Sequence, residues 1–287
     1  MFWSVIICAY YYSLCTHIED WKPVKKVIQA IFFFIVLLII MQLSGKDTLL
    51  NFKEKAPDVL NGVLTPIVGT IGNKMIASSF ICILAPFLLF TPLNWILLII
   101  VSFISWSSGA VLSIGAGLAV YFLAKFKRFR ILIIVFAILL PMIFAWQTGK
   151  IRTFGSKAGR LPVYLKTLEL SFKRPLGYGI ASYKVMFPIL CGKEIKKQQP
   201  GKEWDTAHCD WLQVLFETGI PGFVLYMGWL TEIILNVLKD KNYGKIAGLV
   251  IIAANMMFHF PTRLCQSAFL ILMFLAYCSQ RRRLSNV

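Results

Sequence analysis

Apolar runs recur along the whole length of this chain, and its basic residues cluster between them. They cover roughly 2–15, 24–43, 75–90, 92–106, 109–124, 130–147, 211–236, 245–260 and 264–279. A segment that crosses hydrocarbon must satisfy its own backbone, and about 20 residues of α-helix do so. Strands of a membrane barrel would alternate apolar and polar positions over about 10 residues. The run from Ile31 to Leu43 does not alternate. Hydrophobic residues make up 58% of the chain and mean hydropathy is +0.71, against an apolar share of about 45–50% in soluble domains. The expected fold is therefore an all-α polytopic membrane protein of about nine transmembrane helices.

Charge sets the expected orientation. The net charge of +17 would suggest nucleic acid in a soluble protein, but here the lysines and arginines sit between apolar runs. Positive-inside topology accounts for many of them, and no nucleic-acid partner is expected. Lys125, Lys127, Arg128 and Arg130 form one connector, Lys239, Lys241 and Lys245 a second, and Arg281, Arg282 and Arg283 a third. Two apolar runs separate each connector from the next, so all three belong on the cytoplasmic face. Residues 44–74 and 148–210 then fall outside. The organisation is one integrated membrane domain: N-terminal transmembrane helices over 1–147, an extracytoplasmic loop over 148–210, and C-terminal transmembrane helices over 211–287. No cleavable signal peptide is read at the opening Met-Phe-Trp-Ser.

The long loop carries twelve basic residues against five acidic ones. It is either a solvated basic surface beside lipid headgroups or a site for a polyanion such as a diphosphate. Leu161, Tyr164, Leu165, Leu168 and Phe172 recur at helical spacing and predict an amphipathic helix on the membrane surface, with Arg160 at its start. Pro175-Leu-Gly-Tyr-Gly179 predicts the turn that ends it. Cys191 and Cys209 share this loop, and a disulfide between them is the less favoured reading; the other cysteines read as small packing residues. No metal-ligand spacing is present, and Gly115-Ala-Gly117 lies inside an apolar run rather than in a nucleotide loop.

Chemistry concentrates at residues 207–222, where the basic loop meets a long apolar run. His208 and Asp210 stand at that boundary, and Glu217 follows two helical turns later, on the same face as Asp210. Polar groups at membrane depth are costly and mark function by default. Asp210 either orients the His208 imidazole or stabilises the N-terminus of the following helix. Glu217 needs a partner, an arginine being the natural one. Gly219, Pro221 and Gly222 predict a kink or a close helix approach. His17 reads as an ordinary connector residue, and His259 as a residue near Arg263 that lines the same cavity.

Three features in order resemble the O-antigen ligase and O-antigen polymerase (Wzy) superfamily of bacterial membrane glycosyltransferases. Arg160 is followed by Tyr164 and by Arg174-Pro-Leu-Gly-Tyr-Gly179. Then come His208-Cys-Asp-Trp-Leu-Gln213 and Glu217-Thr-Gly-Ile-Pro-Gly222. Gly69 to Ala77, Ser105 to Gly117 and His259-Phe-Pro-Thr-Arg263 resemble further family segments more loosely. Cys209 stands where members usually carry asparagine, and Ser108 where many carry arginine. The N-terminal side has fewer spans than is typical.

The resemblance implies a GT-C-like enzyme in the bacterial cytoplasmic membrane, with its active site on the extracytoplasmic side and no metal or other cofactor. Its donor would be an undecaprenyl-diphosphate-linked glycan. Its acceptor would be a hydroxyl of another lipid-linked glycan, of lipid A-core or of a protein, with membrane lipids around it. Arginine suits the leaving diphosphate because its planar fork stays charged and binds phosphate oxygens bidentately. Arg160 is the first candidate, supported by Arg174 and Arg263. His208 is the candidate base, with Asp210 beside it, and Tyr164, Glu217 and His259 complete the expected substrate-binding set. The alternatives are a lipid-linked sugar flippase or transporter, a membrane O-acyltransferase, and an inactive family member.

Overall fold

The computed structural model describes residues 2–43, 74–88, 92–104, 107–126, 156, 159–198 and 204–280. The expected span at 130–147 and the three-arginine end lie outside them. Among the described residues the structure is helical throughout. In chain order the helices are α1 (Phe2–His17), α2 (Lys22–Leu43), α3 (Lys74–Leu88), α4 (Pro92–Ile104), α5 (Ser108–Lys125), α6 (Leu161–Lys173), α7 (Tyr183–Gln198), α8 (Asp210–Lys239), α9 (Tyr243–Phe258) and α10 (Cys265–Ser279), with a 3-10 turn at Pro261–Arg263. Among the described residues three stretches are long and apolar enough to cross a membrane: Lys22–Gln42, Ser108–Lys125 and Asp210–Lys239. Ile76–Leu88, Tyr243–Phe258 and Cys265–Ser279 are shorter apolar helices.

Local chemistry starts the central pair. Ser107 Oγ accepts from the Ala110 amide and caps α5, and Asn242 Oδ1 accepts from the Lys245 amide and caps α9. These two helices run antiparallel in close contact. Gly117 lies against Ala247 and Ile251, and Gly109 against Phe258 and His259, so small residues let the backbones approach. Helix α3 packs antiparallel on α9 as well: Ser79 Oγ donates to Asn255 Oδ1 at 2.7 Å, and Pro86 meets Gly248. The core around them includes Phe32, Ile83, Leu84, Phe87, Ile114, Ile251 and Phe274.

The two ends of the bundle differ. At one end Lys25 and Lys245 both lie over the Tyr277 ring, at 4.1 and 4.3 Å from its centroid. Lys245 Nζ also donates to the Gln280 carbonyl, at the C-terminus of α10. The antiparallel register brings Lys125 to this end, beside Lys239 and Lys241. The opposite end receives the starts of α3, α5, α8 and α10, the end of α9, and the 159–198 insert.

That insert has its own core. Val163 and Leu170 of α6 and Tyr183, Phe187, Cys191 and Ile195 of α7 close on Phe216 of α8. Tyr178 stacks on Phe216 at 4.4 Å and Tyr183 meets it edge-on at 5.0 Å. Helix α7 lies inside the expected loop and contains Pro188; packing of Tyr183 and Phe187 on α6 and on Phe216 holds it. Cys191 and Cys209 are free thiols.

Helix α8 is broken at Gly219, which adopts φ 69° and ψ −173°. The Trp211 and Tyr226 rings approach to 6.0 Å. Fifteen residues of straight α-helix would separate them by about 22 Å along the axis, so the chain folds back at the break. Trp211 Nε1 donates to the Ala253 carbonyl and holds the first segment against α9. The 20 residues from Ile220 to Lys239 rise about 30 Å and form the spanning part.

The break exposes backbone groups, and the Pro175–Gly179 turn satisfies them. In an unbroken helix Phe216 O would accept from Ile220 N–H, and Glu217 O from residue 221, which is proline and has no N–H. Instead Tyr178 N donates to Phe216 O at 3.0 Å and Gly179 N to Glu217 O at 2.9 Å, while Ile220 N donates to Pro175 O at 2.7 Å. Gly177 (φ 78°) and Gly219 face each other across this junction, and a Cβ on either would strike the other's backbone. Gly219→Ala should therefore lower stability by about 1–3 kcal/mol from strain alone, and more with the clash. Pro221→Ala, at the first turn of the second segment, should cost far less. Thermal unfolding of both variants in detergent checks the contrast; equal midpoints would remove the junction from the account.

Candidate functional site

The site is built where α6 meets the start of α8 and the end of α9. Arg160 precedes α6 and donates through Nη1 to the Phe258 carbonyl. Tyr164, one turn on, turns its hydroxyl to the His208 carbonyl at 2.8 Å and the Met257 carbonyl at 3.2 Å. Burial pushes the Tyr164 phenol up to about 12, so it stays protonated and remains a donor. His208 sits in the left-handed region at φ 52°, a strained conformation for a residue with a Cβ. Tyr164 holds the carbonyl of that strained residue, so α6 fixes where the imidazole points.

The imidazole lies between two aromatic walls. Trp204 is 5.3 Å away and Phe260 5.1 Å, both edge to face. Burial, with the nearby Arg160 charge, lowers the His208 pKa to about 4, partly countered by Asp205. The ring is thus neutral at pH 7 and able to accept a proton. Its Nδ1 is buried with no hydrogen-bond partner among the described residues. Neither aromatic wall was signalled by sequence spacing; the expected Tyr164 contact was to substrate rather than to His208 backbone.

Asp210 does not reach the imidazole. Its Oδ2 accepts from the Thr262 amide at 2.9 Å, and its Oδ1 lies 3.8 Å from Arg263 Nε. It stands in the first turn of α8, but its side-chain contacts go to the Thr262–Arg263 turn rather than to the imidazole or to a cap of its own helix. Glu217 finds the arginine it was expected to need: Arg263 Nη1 donates to Oε2 at 2.9 Å, and the Ala181 amide donates to the same oxygen at 3.0 Å. Gln213 Nε2 donates to Glu217 Oε1 at 3.0 Å, and Gln213 Oε1 accepts from the Ala207 amide at 3.2 Å. Both carboxylates therefore face Arg263, which is held between them. Its guanidinium is a brace for the 3-10 turn that leads into α10.

Arg174 stands apart. It follows the last residue of α6, about 20 Å along the helix from Arg160, so the two do not close on one phosphate. It is exposed and lies over the Tyr178 ring at 5.2 Å. His259 is buried beneath the site, Nε2 3.4 Å from Ser107 Oγ and close to Gly109. Among the described residues no His, Cys, Asp and Glu cluster has a metal-holding arrangement.

These features define a helical membrane protein with a guanidinium, a phenol and a neutral imidazole gathered at one end of its bundle. Residues 93–227 match the family described as O-antigen ligase (Wzy_C), a stretch that contains Arg160, Tyr164, His208 and both halves of the backbone junction. That match spans just under half of the chain and supports the O-antigen ligase/polymerase family. No curated protein and no solved structure matches the chain.

Arg263→Ala leaves two buried carboxylates facing each other and should cost about 3 kcal/mol or more. Replacing Glu217 and Arg263 together with Met should cost less than that single change. Denaturant midpoints of the two variants test this; a milder single variant would show that Arg263 is not the brace.

Proposed function

We propose that this protein is a metal-independent glycosyltransferase of the cytoplasmic membrane, moving a glycan from an undecaprenyl-diphosphate carrier to a hydroxyl acceptor. The acceptor is a glycan, lipid A-core or another hydroxyl-bearing molecule. The reading is carried by one observation: the Arg160 guanidinium and the neutral His208 imidazole share one small site, joined by Tyr164. The lysines at the other end of the bundle support an extracytoplasmic position for that site, since short basic connectors stay inside.

The acceptor oxygen attacks the donor's anomeric carbon, and the bond from that carbon to the diphosphate oxygen breaks. The electron pair leaves with undecaprenyl diphosphate, and Arg160 balances the charge that develops there. The acceptor proton passes to His208 Nε2, which then releases it to solvent. Trp204 and Phe260 keep the ring aligned and its surroundings dry.

His208→Ala should reduce transfer by about 100-fold or more while the lipid-linked donor still binds. Arg160→Ala should do likewise, with partial recovery in Arg160→Lys. Purified protein with a lipid-diphosphate sugar and candidate acceptors tests both. A His208→Ala protein that transports the donor at the wild-type rate, from a wild type that transfers nothing, would favour the flippase. The pH profile gives a second test. His208 is neutral above its lowered pKa, so the rate should hold as pH falls from 7 and drop only through about 4. Removing the Arg160 charge should move that midpoint upward; an acid limb near the ordinary histidine value in the wild type would remove His208 as the base.

A further inference from the structure

The insert shows solvent an apolar face that nothing in its own fold explains. Leu165 and Phe172, two turns apart on α6, are 59% and 61% exposed. Leu176 and Ile180 in the following turn are 80% and 74% exposed, and Val185 and Ile189, one turn apart on α7, are 59% and 70% exposed. The opposite sides of both helices, at Val163, Leu170, Tyr183 and Phe187, form the insert's core. The outward residues therefore make a second apolar face on an otherwise basic module, larger than single scattered surface residues would account for.

Two observations identify what covers it. First, the face continues onto lipid-facing helix. Pro175 O is bonded to Ile220 N–H, and Ile220, Val224 and Leu225 on the spanning part of α8 are 40%, 60% and 75% exposed. That part rises about 30 Å, the thickness of the hydrocarbon core, so its Ile220 end and the bonded turn lie at the boundary of one leaflet. Second, the face is rimmed by cations: Lys173, Arg174, Lys184, Lys193 and Lys197 are exposed around it. Glu169 and Glu194 on the same module are engaged by Lys166, and Glu169 also by Lys173.

We propose that the α6–turn–α7 module is seated in the bilayer, with Leu176, Ile180, Val185 and Ile189 among acyl chains and its basic rim against anionic headgroups. The inference goes beyond the transferase reading and does not depend on it. The seat fixes the height of the His208 site relative to the headgroups, because α6 carries both Phe172 and the Tyr164 that holds His208.

Spin labels test it without any turnover. Leu176→Cys, Ile180→Cys and Ile189→Cys, each with Cys265→Ser to remove an exposed native thiol, are labelled with a nitroxide and reconstituted in phosphatidylcholine–phosphatidylglycerol vesicles. Collisions with oxygen should exceed those with a water-soluble nickel chelate at all three positions, and the order should reverse at Glu19→Cys in the exposed connector between α1 and α2. Replacing Lys184, Lys193 and Lys197 with Gln should lower the oxygen-to-nickel ratio at position 189. Nickel collisions dominating at 176 and 189 would place the face in water, and low collisions with both reagents would place it under protein; either result overturns the proposal. An unchanged ratio in the glutamine variant would remove the headgroup contact. Wild-type protein that seats in this way yet transfers nothing would overturn only the transferase reading.

Discussion

Everything at the His208 end of the bundle depends on a backbone exchange between two segments about 40 residues apart. A proline one residue after Ile220 denies α8 a hydrogen bond, and the positive φ at Gly219 opens the helix there. Two orphaned carbonyls at membrane depth would cost several kcal/mol. The Pro175–Gly179 turn supplies two amides and takes one in return, so the defect becomes a joint. Phe216, the last turn before the break, is also the residue around which the insert builds its core. The joint and the core fix the insert to the folded-back segment that begins with Asp210.

That arrangement explains how a loop helix can place chemistry. Arg160 and Tyr164 lie at the N-terminal end of α6 and Arg174 at its other end. The joint holds the far end, and the bonds to Phe258, Met257 and His208 hold the near end. The polar groups of 207–222 divide their work accordingly. Asp210, Gln213 and Glu217 serve the scaffold through Arg263, Thr262, Ala181 and Ala207. His208 alone turns away from that network, into the space between Trp204 and Phe260. Its neutrality follows from burial and from the Arg160 charge, so the residue proposed to hold the leaving group also keeps the imidazole unprotonated.

Much of this was legible in the sequence. Apolar runs marked α2, α5, α9 and α10 to within a few residues, because continuous hydrophobicity is a strong signal for a helix that meets lipid or core. The amphipathic period marked α6, and Gly-Ile-Pro-Gly marked the break. The pairing of Glu217 with an arginine followed from the cost of an unpaired carboxylate. What stayed hidden was tertiary. Helix α7 is weakly apolar and contains a proline, so only its packing on α6 and Phe216 reveals it. The partner choice of Asp210 depended on where the chain folds back, which no local pattern states. Arg174 was grouped with Arg160 by the motif, although a helix of 13 residues holds them apart.

The joint at Gly177 and Gly219 is made from main-chain atoms alone, with each glycine leaving room for the other. Insert and α8 therefore form a single heritable cassette. A chimera that borrows the hydrophilic module from a homologue, but keeps an unbroken helix beneath it, would have nowhere to plug the turn. Exchange between family members should succeed only when both halves travel together.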